Sequence, residues 1–271
     1  MRDQASELRA LMSGPRRWPQ PEPIRGTAIV IGSGKGGVGK SLLAALLAAE
    51  LARGGRRVLL FDACQNQGNL HVLLGLRPAA RLEQLLSGEV GPEDLVIEAA
   101  ERLWLLPGDS GDEALYGLTS ADRARLHQRL AGLYGDYDVA IVDSGPGIES
   151  VVRATIGASR MVVVTTPEPA SLSDSYALMK ILAHQVPSLE VDVMVNRALT
   201  PEEGRAAFER LELAAERFLR RRVGYLGAVL EDAGLRRRAL GSGSILDPAP
   251  ASVSEIAARL PAAVARTGPP A

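Results

Sequence analysis

The sequence has little cysteine, few aromatic residues and no excess of charge. Of its 271 residues one is cysteine and 4% are aromatic, and 31 basic residues stand against 32 acidic ones, for a net charge of −1. A single cysteine excludes an intramolecular disulfide and any metal or iron–sulfur site built from several cysteines of one chain. It is also typical of proteins from a reducing compartment. The balanced charge provides no bulk attraction to nucleic acid or to an anionic membrane.

The apolar residues are not gathered in long runs either. The longest run, residues 42–49, is far shorter than the about 20 residues that a membrane-spanning helix needs. Residues 1–20 mix charged side chains with apolar ones and contain no apolar core, so we expect no signal peptide. The composition therefore predicts a soluble, cytoplasmic protein whose core consists mainly of leucine, valine and alanine.

Prolines separate the N-terminal region from the rest of the chain. Residues 1–12 place apolar side chains at helical spacing, which predicts a short amphipathic helix. Prolines at 15, 19, 21 and 23 then predict an extended linker up to residue 25. We predict one domain over residues 26–265 and a frayed tail over residues 266–271.

Apolar strands alternate with helices from residue 26 onward. Strands that are apolar on both faces and alternate with helices indicate a parallel sheet covered on both sides. The sequence thus predicts an α/β fold with a doubly wound, mostly parallel sheet. The predicted strands are 27–31, 58–62, 103–106, 138–143, 161–165 and 191–196, and the predicted helices are 40–53, 80–86, 121–134, 151–158, 172–185 and 201–222.

A glycine-rich loop lies between the first predicted strand and the first helix. Residues 34–41 read GKGGVGKS and fit the phosphate-loop pattern G-x-x-x-x-G-K-[ST]. Glycines let backbone N–H groups turn toward phosphate oxygens, and the helix that follows adds its positive N-terminal end. Lys40 is placed to reach the β- and γ-phosphates, and the Ser41 hydroxyl is placed to bind Mg²⁺. We predict nucleotide binding by Gly34, Lys35, Gly36, Gly37, Val38, Gly39, Lys40, Ser41 and Leu42.

Two aspartates end predicted strands near this loop. Asp143 ends the strand 138–143, and Asp62 ends the strand 58–62. A carboxylate at the carboxyl edge of a parallel sheet, beside a phosphate site, suits Mg²⁺ coordination. We therefore predict Asp143 as a Mg²⁺ ligand with Ser41, and we take Asp62 as a catalytic candidate.

The second lysine of the loop, Lys35, makes the sequence KGGVGKS resemble the deviant Walker A motif of the MinD/ParA ATPases. In that family this lysine reaches the nucleotide of a partner subunit. The resemblance implies an ATP hydrolase with ATP or ADP and Mg²⁺ as cofactors, an ATP-dependent homodimer, and catalytic roles for Lys35 and Lys40. It also implies that Asn196, with Arg197 beside it, contacts adenine.

The chain departs from the family at two positions. Relatives carry D-x-D-x-G-x-x-N-L where residues 62–70 read DACQNQGNL, so Cys64 replaces the aspartate that orients the attacking water. A neutral thiol hydrogen-bonds weakly and is a poor base for water. Either Gln65 or Gln67 orients the water instead, or hydrolysis is slow or lost and a nucleotide-bound adaptor remains. At the second position, Leu230 replaces a proline on the adenine side.

Three segments resemble the flagellar, FlhG-like branch of the family, whose members regulate flagellar number and placement. They are DSGPGI at 143–148, VVTTPEPASLSDSYALMK at 163–180, and DQA with a following LR at 3–9. In that branch the N-terminal element stimulates the GTPase of the flagellar signal-recognition-like protein. The resemblance implies the same partner for residues 1–12, with flagellar basal-body or transcription-regulator proteins as further partners.

Other readings of the same fold are less favoured by the sequence. A partition ATPase would bind DNA non-specifically, but the arginines at 217–222 and 236–238 end predicted helices, where solvated positive charge is the default. An iron–sulfur reductase of this fold uses two cysteines per subunit. The amphipathic segment 252–266 lacks a cationic face and contains Pro261, so we do not expect it to insert in a membrane. We expect a cytoplasmic location, with peripheral association at the inner face of the membrane as the alternative.

Overall fold

The computed structural model describes residues 27–64, 68–80, 82–108, 130, 132–145, 147–155, 158–241 and 244–261. Eight strands of these residues form one sheet. They are β1 (Thr27–Gly32), β2 (Val58–Ala63), β3 (Ile97–Ala100), β4 (Leu103–Leu106), β5 (Val139–Ser144), β6 (Arg160–Thr165), β7 (Glu190–Ala198) and β8 (Gly224–Leu230). Their order in the sheet is β3-β4-β2-β5-β1-β6-β7-β8. Only the pair of β3 and β4 is antiparallel among the pairs of described strands.

The helices between the strands begin and end at recognisable signals. The Thr200 hydroxyl accepts a hydrogen bond from the backbone N–H of Glu203 at 3.2 Å and so caps the helix that begins at Pro201. Gly54 and Gly55 end the first helix, with Gly55 at a φ of 89°. The helices are α1 (Lys40–Arg53), α2 (Leu70–Leu73), α3 (Leu82–Ser87), α4 (Ile148–Ala154), α5 (Pro169–Gln185), α6 (Pro201–Ala214), α7 (Ala233–Ala239) and α8 (Ala251–Arg259), with a π-helical turn at Ala215–Leu219 that continues α6.

The hydrophobic core lies in two layers, one on each face of the sheet. Every residue of β1 is buried, with Ala28 and Val30 on one face and Ile29 and Ile31 on the other. The first face packs against α4, α5 and α6, and the second against α1, α7 and α8. The predicted doubly wound, mostly parallel α/β fold is therefore confirmed.

Most predicted elements appear within two or three residues of their predicted bounds, and two strands were missed. The half-buried β3 carries no continuous apolar run, and β8 contains two glycines, so neither shows the pattern of a buried strand. The helix predicted over 201–222 was too long, because it leaves α-geometry after Ala214. The predicted N-terminal helix, the linker, the tail and residues 121–129 lie outside the described residues.

The described part of the C-terminal amphipathic segment, residues 252–261, belongs to the core. Helix α8 ends at Arg259, ahead of Pro261, and its apolar residues Val253 and Ile256 are buried against the second face of the sheet. Of the helices described, none combines the length and the apolarity that crossing a bilayer requires.

Candidate nucleotide site

The carboxyl ends of β1, β2 and β5 bring the predicted site residues to one edge of the sheet. Asp62 and Asp143 are register partners on the paired strands β2 and β5, and Ile31 of β1 is opposite Asp143 on the other side. The glycine-rich loop leaves β1 at this edge and leads into α1. Ligands of open parallel sheets bind in such crevices.

The conformation of the loop explains its glycines. Gly37 and Gly39 have φ values of 77° and 91°, in the left-handed region that side chains disfavour. A Cβ atom on Gly36 or Gly37 would meet nothing within 4 Å, so the space beside them is open for phosphate oxygens. Gly34 is different, because its Cβ would lie 2.1 Å from the carbonyl oxygen of Asp174 in α5. The loop is thus open at its middle and packed tightly on α5 at its start.

Lys40 and Asp143 form an ion pair at the base of the loop. The Lys40 Nζ lies 2.9 Å from the Asp143 Oδ1, and the two side chains are 12% and 1% exposed. Burial raises the pKa of Asp143, and the Lys40 ammonium and a hydrogen bond with the Ser41 hydroxyl oppose that rise. A carboxylate and a hydroxyl side by side are the oxygen ligands that Mg²⁺ prefers, and the ammonium beside them can turn to a phosphate. The donor set therefore fits Mg²⁺ and a nucleotide phosphate.

Asp62 is buried and holds the segment that follows β2. Its Oδ1 accepts a hydrogen bond from the Cys64 N–H at 3.1 Å, and its Oδ2 accepts one from the Leu70 N–H at 3.0 Å. Burial raises the pKa of Asp62 to about 6, and Asp143 adds to the rise, while the two N–H groups and Lys40 oppose it. The carboxylate thus holds the backbone of Cys64 and of Leu70 beside the phosphate site.

Cys64 is a buried, reduced cysteine just after β2. A Cβ on Gly145, just after β5, would lie 3.5 Å from the Cys64 Sγ. The thiol thus lies between the segments that follow β2 and β5, on the side of the site where Asp62 and Asp143 are. Gln65 and Gln67, the other candidates for orienting water, lie outside the described residues.

Lys35 contacts a residue that sequence reasoning missed. Its Nζ forms an ion pair with the Glu168 Oε2 at 2.8 Å, and the two side chains are 38% and 63% exposed. The Lys35 ammonium lowers the pKa of Glu168, and Arg197 contributes more weakly. Glu168 immediately precedes α5, within the segment 163–180, but no local pattern links it to a lysine 133 residues earlier.

Asn196 lies on the side of the glycine-rich loop where the adenine of a nucleotide is expected. It is 7% exposed, and its side-chain nitrogen donates to the Val38 carbonyl oxygen at 2.7 Å. The register of β7 and β8 shifts at this point, and Arg197 has a φ of 57° and is exposed. A cavity of about 180 Å³ opens here; its lining includes the predicted residues Leu42, Asn196 and Arg197, and also Gly39, Leu43, Leu230, Glu231, Asp232, Leu235, Arg236 and Ala239.

Comparison with known proteins identifies the family. The sequence model of the CobQ/CobB/MinD/ParA nucleotide binding domain matches residues 29–240 of the chain. The chain belongs to the MinD/ParA family. Of two relatives of this MinD/ParA chain, one has a name that concerns flagella and the other is named an antiactivator. The flagellum site-determining protein YlxH of Helicobacter pylori is 36% identical over 77% of this chain and 71% of its own length. The antiactivator FleN of Pseudomonas aeruginosa is 33% identical over 84% of this chain and 82% of its own length.

Solved structures of MinD proteins are similar to that of this MinD/ParA chain. The cell division ATPase MinD of Pyrococcus furiosus has a TM-score of 0.71 and 25% identity, over 86% of this chain and 97% of that one. MinD in the MinC:MinD cell division complex of Aquifex aeolicus has a TM-score of 0.69 and 30% identity, over 87% and 95%. The MinD of Pyrococcus horikoshii, solved with Mg-ADP, has a TM-score of 0.71 and 25% identity, over 86% and 94%. The family is one of nucleotide-binding domains, and Mg²⁺ with ADP occurs in it.

Proposed function

We propose that the chain is an ATP-dependent dimerisation switch that regulates the number and placement of flagella through protein partners. The observation that carries the nucleotide part is the group of Lys40, Ser41 and Asp143 beside an open glycine loop. The relatives YlxH and FleN, similar over most of the chain, support the flagellar part.

The proposed roles follow from the positions of the side chains. The backbone of residues 34–42 and the Lys40 ammonium would hold the phosphates, and Ser41 and Asp143 would hold Mg²⁺. When bound, Mg²⁺ supplies neutralisation of the phosphate charge. Asn196 and Arg197 would hold the adenine, in the cavity behind the loop. Since Asn196 donates its N–H to Val38, its carbonyl oxygen remains as acceptor for an exocyclic amino group.

Lys35 supports a change between monomer and dimer. In the single chain its ammonium is neutralised by Glu168. A lysine that reaches the nucleotide of a partner subunit has to leave this carboxylate first. We infer that the pair of Lys35 and Glu168 belongs to the monomer, and that the ATP-bound dimer replaces it with contacts to phosphate.

Light scattering with a slowly hydrolysed ATP analogue tests this switch. We expect a dimer for the native chain and a monomer for Lys35→Ala, because the variant loses the charge that crosses the interface. Glu168→Gln is the matched variant, since it breaks the same ion pair and keeps the lysine, and we expect it to dimerise at least as readily as the native chain. A dimer of unchanged stability for Lys35→Ala would contradict the proposed role.

We propose that ATP turnover is slow, because Cys64 offers no carboxylate to the attacking water. An adaptor that binds nucleotide without turnover is the alternative, and it is favoured by the burial of this same residue, whose backbone N–H bonds the Asp62 carboxylate. Steady-state phosphate release, with Lys40→Ala as the blank, separates the two: release above the blank indicates turnover, and release at the blank level indicates the adaptor.

The proposed partner of residues 1–12 is the flagellar signal-recognition-like GTPase, and flagellar basal-body or transcription-regulator proteins are proposed as further partners. The Pro-rich residues 15–23 support this role, because they allow the N-terminal segment to reach out from the domain. A peptide of residues 1–12 should stimulate the GTPase, and Gln4→Ala in the peptide should reduce the effect. Full stimulation by a chain that begins at Gly26 would show that this segment is not the activator.

A further inference from the structure

The π-helical turn after α6 turns an aromatic side chain outward. The buried residues of this helix are Gly204, Ala207, Phe208, Leu211 and Ala215. Continued at about 100° per residue, an α-helix would bring position 218 back to the buried side. The π turn at Ala215–Leu219 has more residues per turn, so Leu219 takes the buried position and packs against the core. Phe218 is left 66% exposed.

The charges in the second half of this helix, from residue 209 onward, are divided between its flanks. At about 100° per residue, Glu209, Glu212 and Glu216 fall on one flank, and Arg210 falls on the flank to which the π turn directs Phe218. Leu213 points away from the core between the two flanks and is 65% exposed. From residue 209 onward the flank with Phe218 is therefore apolar and basic, and Glu203 falls on this flank about four turns earlier.

Further arginines lie beside Phe218 in the sequence. The Arg217 guanidinium lies over the Phe218 ring, 5.4 Å from its centroid. Arg220 ends the π turn at a φ of 51°, and its N–H bonds the Ala215 carbonyl oxygen. Arg220 and Arg222 are exposed, whereas Arg221 between them donates to the Leu189 carbonyl oxygen. We call this surface the Phe218 patch; it consists of Arg210, Leu213, Arg217, Phe218, Arg220 and Arg222.

We propose that the Phe218 patch docks the protein on an anionic lipid bilayer. Its arginines complement phosphate headgroups, and Phe218 and Leu213 are the large apolar side chains that enter the boundary between headgroups and acyl chains. The phosphates of DNA would also attract the arginines, but they offer no apolar region for the two exposed side chains. The combination of exposed apolar groups with clustered positive charge thus favours a bilayer over DNA.

The position of the patch leaves the nucleotide site free. The patch immediately precedes β8, which begins at Gly224, and so lies at the amino ends of the parallel strands. The phosphate loop lies at their carboxyl ends. Helix α8 cannot bind the bilayer instead, because its apolar residues are packed into the core. A membrane contact at the Phe218 patch does not depend on the proposed dimer switch.

Flotation with vesicles tests the proposal on the full chain. We expect the protein to float with vesicles of phosphatidylcholine and phosphatidylglycerol, to stay behind with phosphatidylcholine alone, and to dissociate as salt is raised. Arg220→Gln should weaken binding about fivefold, the factor that about 1 kcal/mol per arginine corresponds to. Phe218→Ser should weaken it by about tenfold or more.

The matched controls lie at the end of α7. Leu240 is 79% exposed and Arg237 is exposed beside it, so Leu240→Ser and Arg237→Gln change the same chemistry elsewhere. We expect both controls to bind like the native chain, and all four variants to keep its thermal unfolding midpoint. Three results would overturn the proposal. They are no flotation of the native chain, flotation of Phe218→Ser and Arg220→Gln equal to that of the native chain, or loss of flotation in the α7 variants instead. If the native chain instead bound duplex DNA without floating, and the two patch variants abolished that binding, the surface would be a nucleic-acid site.

Discussion

Replacement of Asp62 by asparagine should stabilise the empty protein at neutral pH. Burial raises the pKa of this carboxyl from 3.8 to about 6 in the folded state. At 1.36 kcal/mol for each pKa unit, the charged carboxylate lowers the free energy of unfolding by about 3 kcal/mol. This decrease in the free energy of unfolding is absent below pH 3.8, develops as the pH rises and is complete above pH 6. The reason is that the folded chain holds the proton of Asp62 more tightly than the unfolded chain does.

The asparagine does not recover the whole of this energy. Asp62 accepts the N–H groups of Cys64 and Leu70 with different oxygens. An amide has only one oxygen, so one of the two buried N–H groups loses its acceptor, at about 1–3 kcal/mol. Asp62→Asn should therefore gain up to about 2 kcal/mol at about pH 7.5. At about pH 4.5 only about 1 kcal/mol of the penalty is present, so the lost hydrogen bond outweighs it and the variant should lose up to about 2 kcal/mol.

Urea unfolding followed by circular dichroism, without nucleotide or Mg²⁺, measures both values. The decisive result is the change of sign between the two pH values. Asp138→Asn is the matched control, because the Asp138 Oδ2 also accepts a backbone N–H, from Arg57 at 2.7 Å, but at a half-buried position. Equal destabilisation of Asp62→Asn at both pH values would refute the reasoning, since it would mean that burial does not penalise the charge.

Two more substitutions probe the loop and the attacking water. Gly34→Ala should weaken binding of a fluorescent ATP analogue by about tenfold or more, because its Cβ would lie 2.1 Å from the Asp174 carbonyl oxygen and would displace this end of the loop. One lost hydrogen bond to a charged phosphate costs about 1.5–3 kcal/mol. Gly132→Ala lies outside the loop and its Cβ meets nothing within 4 Å, so it should bind the analogue like the native chain. Equal affinities of Gly34→Ala and Gly132→Ala would disprove the argument. Cys64→Asp should raise phosphate release about tenfold or more, equivalent to about 1.4 kcal/mol in the barrier. Equal rates of Cys64→Asp and the native chain, both above Lys40→Ala, would instead point to another group that orients water.

Local sequence was sufficient for the central part of the fold. Strand β1, the glycine loop and α1 are consecutive, and each depends on its own residues: a fully apolar run, glycines that adopt positive φ, and a stretch rich in leucine and alanine. The parallel sheet then follows from the alternation of apolar strands and helices. Because parallel strands end at one edge, it was also predictable that Asp62 and Asp143 lie near the loop.

Contacts between distant segments were not predictable in this way. The pairing of Lys35 with Glu168 joins residues 133 positions apart, and neither neighbourhood carries a signal for the other. The pKa of Asp62 likewise depends on burial and on Asp143 across the sheet, which a sequence pattern does not quantify. Such effects arise only when packing excludes water from groups that the chain brings together.

The helices of the C-terminal half show the same division between sequence and tertiary structure. Their apolar spacing by itself determined that α6 and α8 have one buried side. Tertiary structure decided that the apolar side of α8 packs on the second face of the sheet, and that a π turn gives Leu219, rather than Phe218, the buried position. The physical reason is that a periodic pattern specifies which side chains share a face, whereas the surface that this face contacts, and any local change of helical pitch, depend on the shape of the core that the whole chain forms.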